Sequence, residues 1–194
     1  MIKVDAMGDN CPIPVIKTKK AMQALTSAET IEVSVDNEIA ATNVKKMAES
    51  AGATVHVEEI SEKEFHVTVE MDGPMAGENA EDNEKFVVAI GSDRMGSGND
   101  ALGTALIKGF IFAVTQLDRL PDAMVFYNGG VTLTTEGSDS LDDIKMLEEE
   151  GVQILSCGTC LSYYEMTDKL AVGEVTNMYN IVETMASADK LVRP

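Results

Sequence analysis

Between Thr30 and Asp36 the chain alternates apolar and polar residues (TIEVSVD), the period of a strand with one face on a core. The same period returns in TVHVEEI (54–60) and FHVTVEM (65–71), separated by SEKE, and predicts a hairpin. Ile2–Ala6 predicts a short first strand. From about Pro12 to Leu25 the period lengthens to that of a helix. Val15, Met22 and Leu25 share one face with Thr18 between them, and Lys17, Lys19 and Lys20 fall on or near the outer faces. A second helix is expected between a cap at Asp36 or Asn37 and a stop at Gly52. The order β-α-β-α-β-β predicts a two-layer domain, with two helices on one face of a four-stranded sheet.

Beyond residue 84 the pattern changes. KFVVAIG (85–91) and VQILSC (152–157) are near-continuous apolar runs, as in strands covered on both faces. Helical stretches alternate with them. One ends at about Gln116, one is SDSLDDIKMLEEEG (138–151) with Gly151 as its stop, one is CLSYYEMTDKL (160–170), and the last lies within 177–192. AMVFYNGGV (123–131) reads as a strand running into a loop. This alternation predicts a three-layer α/β unit, a parallel sheet between helices. Ligands in such sheets sit at the carboxyl ends of the strands. Three loops, 91–100, 128–134 and 156–160, are expected to converge there. DGPMAGENAEDNE (72–84) shows no periodicity and reads as a solvated acidic linker. The organisation expected is thus one domain at 1–71, a linker at 72–84, and a second domain at 85–194.

Charge narrows the function. The chain has 194 residues and a formal net charge of −18. Residues 1–71, 72–84 and 85–194 carry −5, −5 and −8, so the linker is the densest part. Nucleic acid is disfavoured as a partner, because phosphate contacts need clustered Lys and Arg. Trp is absent and aromatic residues make up only 5%, which argues against a stacking platform for bases or sugars. No apolar run of about 18 residues exists, so no membrane span is expected. The N-terminus lacks the apolar stretch of a signal peptide, so a cytoplasmic location is expected.

Three cysteines are too few and too odd a number for a disulfide framework. Cys11 lies in GDNCPIP, before two prolines. Proline is tolerated in the first turn of a helix, so Pro12 marks a helix start and Cys11 falls at or next to its N-cap. Unpaired amides and the helix dipole lower a thiol's pKa there, and the same field would stabilise the terminal sulfur of a persulfide. The residue before a proline is held extended, which aims the thiol outward. Sulfur transfer by thiolate attack on sulfur needs no metal and no histidine. The competing reading is a small buried hydrophobe at a turn.

VDAMGDNCPIPVIKTKKAM resembles the opening of the TusA/SirA-like family of sulfur carriers, whose signature is a Gly followed by Cys-Pro-x-Pro opening a helix. The resemblance spans roughly residues 1–71. It implies that Cys11 bears a persulfide and that Gly8, Pro12 and Pro14 are the supporting motif. Asp9 departs from the family, which usually has an apolar residue there; the acid would oppose thiolate formation and could change which protein docks.

A second thiol pair, Cys157-Gly158-Thr159-Cys160, follows the second apolar run. It can be read as a redox disulfide, half of a zinc site, or a sulfur-transfer thiol with a resolving neighbour. Zinc would need further ligands, and the other soft candidates, Cys11, His56 and His66, lie in the other domain. Two buried structural cysteines are the plain alternative. Residues 85–194 resemble the DsrE/DsrF-like family, which shares its fold with TusD-type sulfur relay subunits. The carrying features are the apolar first strand, a loop of small residues before a long helix, and a cysteine directly after a later apolar strand. The resemblance puts Cys157 in the place of the sulfur-accepting cysteine and leaves Cys160 extra. It also implies a pocket walled by the loops carrying Gly96, Gly98, Asn128 and Gly129, and a homo-oligomer contact through this domain. Both domains in one chain resemble the YedF type of sulfurtransferase-like proteins, which implies a link to selenium metabolism; nothing in the residues separates selenium from sulfur.

The function expected is therefore relay of sulfur or selenium between cysteine thiols, with donor and acceptor proteins as partners, and with no cofactor or metal. One alternative comes from Gly96-Ser97-Gly98-Asn99-Asp100-Ala101, which fits the nucleotide-binding pattern G-x-G-x-x-A between a strand and a helix. The C-terminal domain would then be a nucleotide or small-molecule module, and Cys11 structural. Against it, the acid expected at the end of the second strand is replaced by Asn128-Gly129-Gly130, and Asp93 and Asp100 would repel a pyrophosphate. The glycines can instead serve a tight turn, with Asn99 or Asp100 capping the helix.

Overall fold

Three apolar pairs across one ladder set the N-terminal core. Strand β2 (Glu29–Val35) runs antiparallel to β4 (Glu64–Met71), placing Ile31 opposite Val69, Val33 opposite Val67 and Val35 opposite Phe65, all buried. The strand period puts these residues on one face. Strand β1 (Ile2–Asp5) pairs parallel with β2, and β3 (Thr54–Ser61) pairs antiparallel with β4, giving the order β1-β2-β4-β3. Helix α1 (Ile13–Gln23) packs on β1 and β2, and α2 (Glu38–Ser50) on β2, β3 and β4. A computed structural model of the chain describes residues 1–10, 12–74 and 84–194 and divides into two units, Met1–Asn79 and Ala80–Pro194. Most of the acidic stretch 72–84 lies outside the described residues.

Local details follow from the residues. The Asn37 side chain, rather than Asp36, caps α2 by accepting from the Ala40 amide at 2.8 Å. In α1 the buried stripe is Pro14, Thr18 and Met22, at i, i+4 and i+8. Pro14 therefore takes the core position expected for Val15, which is only partly buried. Thr18 keeps its hydroxyl bonded inside the core by donating to the Pro14 carbonyl at 2.8 Å. The helix ends at Gln23, two residues short of the expected Leu25, which turns in separately and is buried.

In the second unit, β5 (Phe86–Ile90), β6 (Ala123–Phe126) and β7 (Gln153–Cys157) form the middle of a five-stranded sheet. Two three-residue strands, β8 (Glu174–Thr176) and β9 (Lys190–Val192), complete the order β8-β7-β6-β5-β9, with every pair parallel. Parallel strands need both faces covered, which is why β5 and β6 are buried at every position. The covering helices are α3 (Asp100–Val114), α4 (Leu141–Glu149) and α6 (Met178–Ala186), which contribute Ile107, Ile111, Ile144, Leu147 and Ile181 to the core. Right-handed crossovers put α3 and α4 on one face; α6, whose connection runs back across the sheet, falls on the other.

Two expectations need correcting here. The stretch 160–170 is not one helix: α5 is only Gly158–Tyr163, followed by a 3-10 turn at Thr167–Lys169. Glu165 stops it by adopting φ +55, while the Met166 amide donates to the Leu161 carbonyl and the Glu165 amide to the Ser162 carbonyl. That is a glycine-type helix end made by a glutamate, so composition does not announce it. The loop after β6 is likewise a 3-10 helix, Asn128–Thr134. It presses on the end of β5 so closely that a Cβ on Gly130 would overlap the Ile90 carbonyl oxygen.

This contact predicts that Gly130→Ala costs about 2–3 kcal/mol of stability through forced displacement of backbone. Gly137→Ala, at φ +87 but in open space, should cost only about 1 kcal/mol. Chemical denaturation followed by circular dichroism checks the difference.

Candidate functional site

Strand β7 delivers Cys157 to the carboxyl edge of the sheet, where its backbone becomes the N-cap of α5. Gly158 allows that entry: a Cβ there would lie 2.8 Å from Val175 Cγ1 and 3.4 Å from the Thr176 carbonyl oxygen on β8. Cys160 follows three residues on, so the turn stacks it beside Cys157. Both thiols are free. Their exposures differ. Cys157 is 1% exposed and belongs to the core, whereas Cys160 is partly exposed.

Across from them, β6 ends level with β7, with Phe126 paired to Ser156. The chain then turns at Asn128, a non-glycine residue at φ +49. That conformation aims the Asn128 amide at Cys160 Sγ, 3.1 Å away. The Asn128 side chain is held in turn by Tyr164, whose hydroxyl donates to Oδ1 at 3.1 Å. Tyr163 packs edge-to-face on Tyr164 with ring centres 5.2 Å apart. Asn128, Thr159, Cys160, Tyr163 and Tyr164 line an open cavity of about 270 Å³. Its lining is uncharged, and Cys157 is not part of it. Burial first, then the neighbouring Cys157 thiol, push the Cys160 thiol above the ordinary thiol range, while the Asn128 N–H pulls it down. At neutral pH the resting site therefore holds a protonated Cys160.

Of the four expected pocket residues, Asn128 reaches the thiol, whereas Gly96, Gly98 and Gly129 do not line the cavity. The loop carrying Gly96 and Gly98 folds back on its own helix. Arg94 pairs with Asp93 at 3.4 Å and with Asp100 at 2.5 Å, and the Met95 amide donates to the Gly103 carbonyl at 3.0 Å. Gly129 faces this loop, since a Cβ on it would sit 3.7 Å from the Asp93 amide. Asn99 caps α3, accepting from the Leu102 amide at 3.0 Å. The nucleotide-type pattern thus has its first-turn amide and its acids engaged internally. A larger cavity, about 380 Å³ between α3 and residues 132–140, is lined by no cysteine.

Tyr163 and Tyr164 were not singled out from sequence. Their signal was present, three and four residues after Cys160, the spacing that puts side chains over one another on a helix.

Cys11 lies outside the described residues. Its neighbours are described. Gly8 turns the chain after β1 at φ +75, a conformation costly for other residues. The Asn10 carbonyl accepts from the Ile13 amide at 2.9 Å, and Pro12 is the N-cap position of α1. Asp9, the departure from the carrier signature, is paired with Lys17 of α1 at 2.5 Å, and Lys17 Nζ also donates to the Asp5 carbonyl at 3.0 Å. The negative charge of Asp9 is therefore neutralised by a cation from α1. Among the described residues, no group of three or more His, Cys, Asp or Glu side chains gathers as a metal site, and no helix is long and apolar enough to cross a membrane.

Comparison with known proteins agrees with both halves. The family model of sulfurtransferase TusA matches residues 2–71, and that of the DsrE/DsrF-like family matches residues 85–194. A protein of Methanocaldococcus jannaschii with the provisional name of sulfur carrier is 44% identical over 69 residues, which is 36% of this chain and 92% of its own length. A SirA-like protein of Desulfitobacterium hafniense, solved as a crystal structure, is 39% identical with a TM-score of 0.35, covering 36% of this chain and 96% of that one. A protein of unknown function from Methanobacterium thermoautotrophicum is 22% identical with a TM-score of 0.44, covering 58% of this chain and 100% of that one. The chain belongs to the DsrE/DsrF-like family through residues 85–194 and carries a TusA sulfurtransferase domain at residues 2–71.

Proposed function

We propose that this protein relays sulfane sulfur between thiols, with Cys11 as the carrier and Cys160 as the receiving thiol of the C-terminal unit. The observation that carries the second assignment is the cavity: Cys160 faces it under the Asn128 amide, while Cys157 lies behind in the core. A donor persulfide can meet only the exposed sulfur. Each transfer is attack of a thiolate on the terminal sulfur of a persulfide, forming a new S–S bond and releasing the donor thiolate. A backbone N–H at 3.1 Å stabilises negative charge on the accepting sulfur without adding a proton to it. Donor and acceptor thiols on one chain make the second transfer intramolecular, which raises its effective concentration. Partners are a protein that loads Cys11 and one that takes the product. Perselenide would pass through the same thiols, and the link to selenium rests on the resemblance of the two-domain arrangement.

Incubation of the Cys157→Ala chain with a cysteine desulfurase and cysteine should add the mass of one sulfur atom at Cys11 and at Cys160, read by intact mass and peptide mapping. Cys11→Ser together with Cys160→Ser should abolish the gain. A Cys157→Ala chain that takes no sulfur would end this reading. A selenium donor offered in the same way should add one selenium atom at the same residues.

The protonation state gives a second prediction. A thiol whose folded pKa is raised is less ionised than a free thiol at any given pH. Iodoacetamide labelling of Cys160 should therefore rise with a midpoint above the ordinary thiol value of about 8.5. Cys157→Ala removes one of the raising causes and should move the midpoint down. The folded chain also holds this proton to higher pH than the unfolded chain does. The stability contributed by Cys160 is thus present below the ordinary thiol pKa and is lost as pH rises through and beyond it.

A further inference from the structure

We infer that the C-terminal dithiol is a reductive release site: Cys157 resolves a persulfide on Cys160, and the sulfane sulfur leaves as hydrogen sulfide. This rests on the reading of Cys160 as the receiving thiol and adds the fate of the sulfur. A plain carrier needs one exposed cysteine. Here a second thiol is kept out of contact with any partner, 1% exposed at the N-cap of α5 and three residues before the first. Residues three apart in a helical turn have Cα atoms about 5 Å apart, inside the span that a disulfide bridges. The pair can therefore close without moving the backbone far.

The arrangement also suits the displacement. Cys157 lies on the core side of Cys160, and the cavity lies on the other. A sulfane sulfur bound to Cys160 Sγ has room in the cavity that Cys160 lines, on the side away from the buried Cys157. Cys157 Sγ attacks Cys160 Sγ and a disulfide bond forms between them. The bond from Cys160 Sγ to the sulfane sulfur breaks, and its electron pair goes with the departing atom. That atom keeps the persulfide proton, takes the proton of Cys157, and leaves as hydrogen sulfide. The two thiols are together oxidised by two electrons and the sulfane sulfur is reduced by two. A dithiol reductant from outside the chain must then reopen the disulfide. The cavity favours departure over storage, because no cationic side chain lines it to hold a persulfide anion and the chain carries a net charge of −18.

The test uses the full chain with Cys11→Ser, exposed briefly to glutathione persulfide without other reductant. Hydrogen sulfide is trapped with monobromobimane, and the cysteines are mapped by non-reducing peptide mass spectrometry. With Cys157 present, sulfide should appear in amounts equimolar with a Cys157–Cys160 disulfide. With Cys157→Ser or Cys157→Ala added, sulfide release should be lost and Cys160 should retain one extra sulfur. Circular dichroism confirms folding, and two replacements of different polarity guard against one that does not fold. A persulfide that persists on Cys160 with Cys157 intact, or release that is unchanged without Cys157, would overturn this inference and leave the relay standing. Folded Cys157→Ala protein that takes no sulfur on Cys160 would overturn the relay reading and this inference with it.

Discussion

The parallel pairing of β6 with β7 is the constraint on which the C-terminal site depends. It brings the ends of two strands level, so that the chain leaving Phe126 and the chain leaving Ser156 emerge side by side. One exit turns through Asn128 and presents an amide; the other enters a helix and presents a thiol. Neither group could be placed by a loop alone. The strands hold their register because their side chains are buried on both faces, between α3 and α4 on one side and α6 on the other. The chemistry is thus aimed by packing a few residues away from it.

Much of this was legible in the chain. The alternation of TIEVSVD and FHVTVEM marks a half-covered sheet, and the unbroken runs of the second half mark a covered one. Asn37, Gly52 and Gly151 punctuate the helices as their chemistry requires. The failures have physical causes. Strands β8 and β9 have three residues each, too few to show a period. Helix α5 ends on a glutamate in the left-handed region, where glycine would have been the signal. The difference in exposure between the two cysteines was also hidden. An apolar run ending in Cys157 indicates burial, but Cys160 faces an open cavity that Asn128, thirty-two residues away in the chain, helps to line. A contact of that separation follows from topology and not from local pattern.

The N-terminal unit shows the same limit at shorter range. Asp9 reads from sequence as a charge that opposes an ionised thiol. In the fold it is matched by Lys17, in the second turn of α1, which also ties down the carbonyl of Asp5. The departure is thereby compensated within the unit. What Asp9 and Lys17 add is a charge-balanced pair at a position where the carrier signature has an apolar residue.

Gly158 limits how the dithiol can be varied. With β8 packed against it, a side chain just after Cys157 would have to displace the Val175 side chain. Only Thr159, which is exposed, remains free between the two sulfurs. In dithiol sites the two intervening residues are the usual means of setting the redox potential. Here one of the two is crowded by Val175, so the potential of this pair is most easily adjusted from within the loop through the other, Thr159.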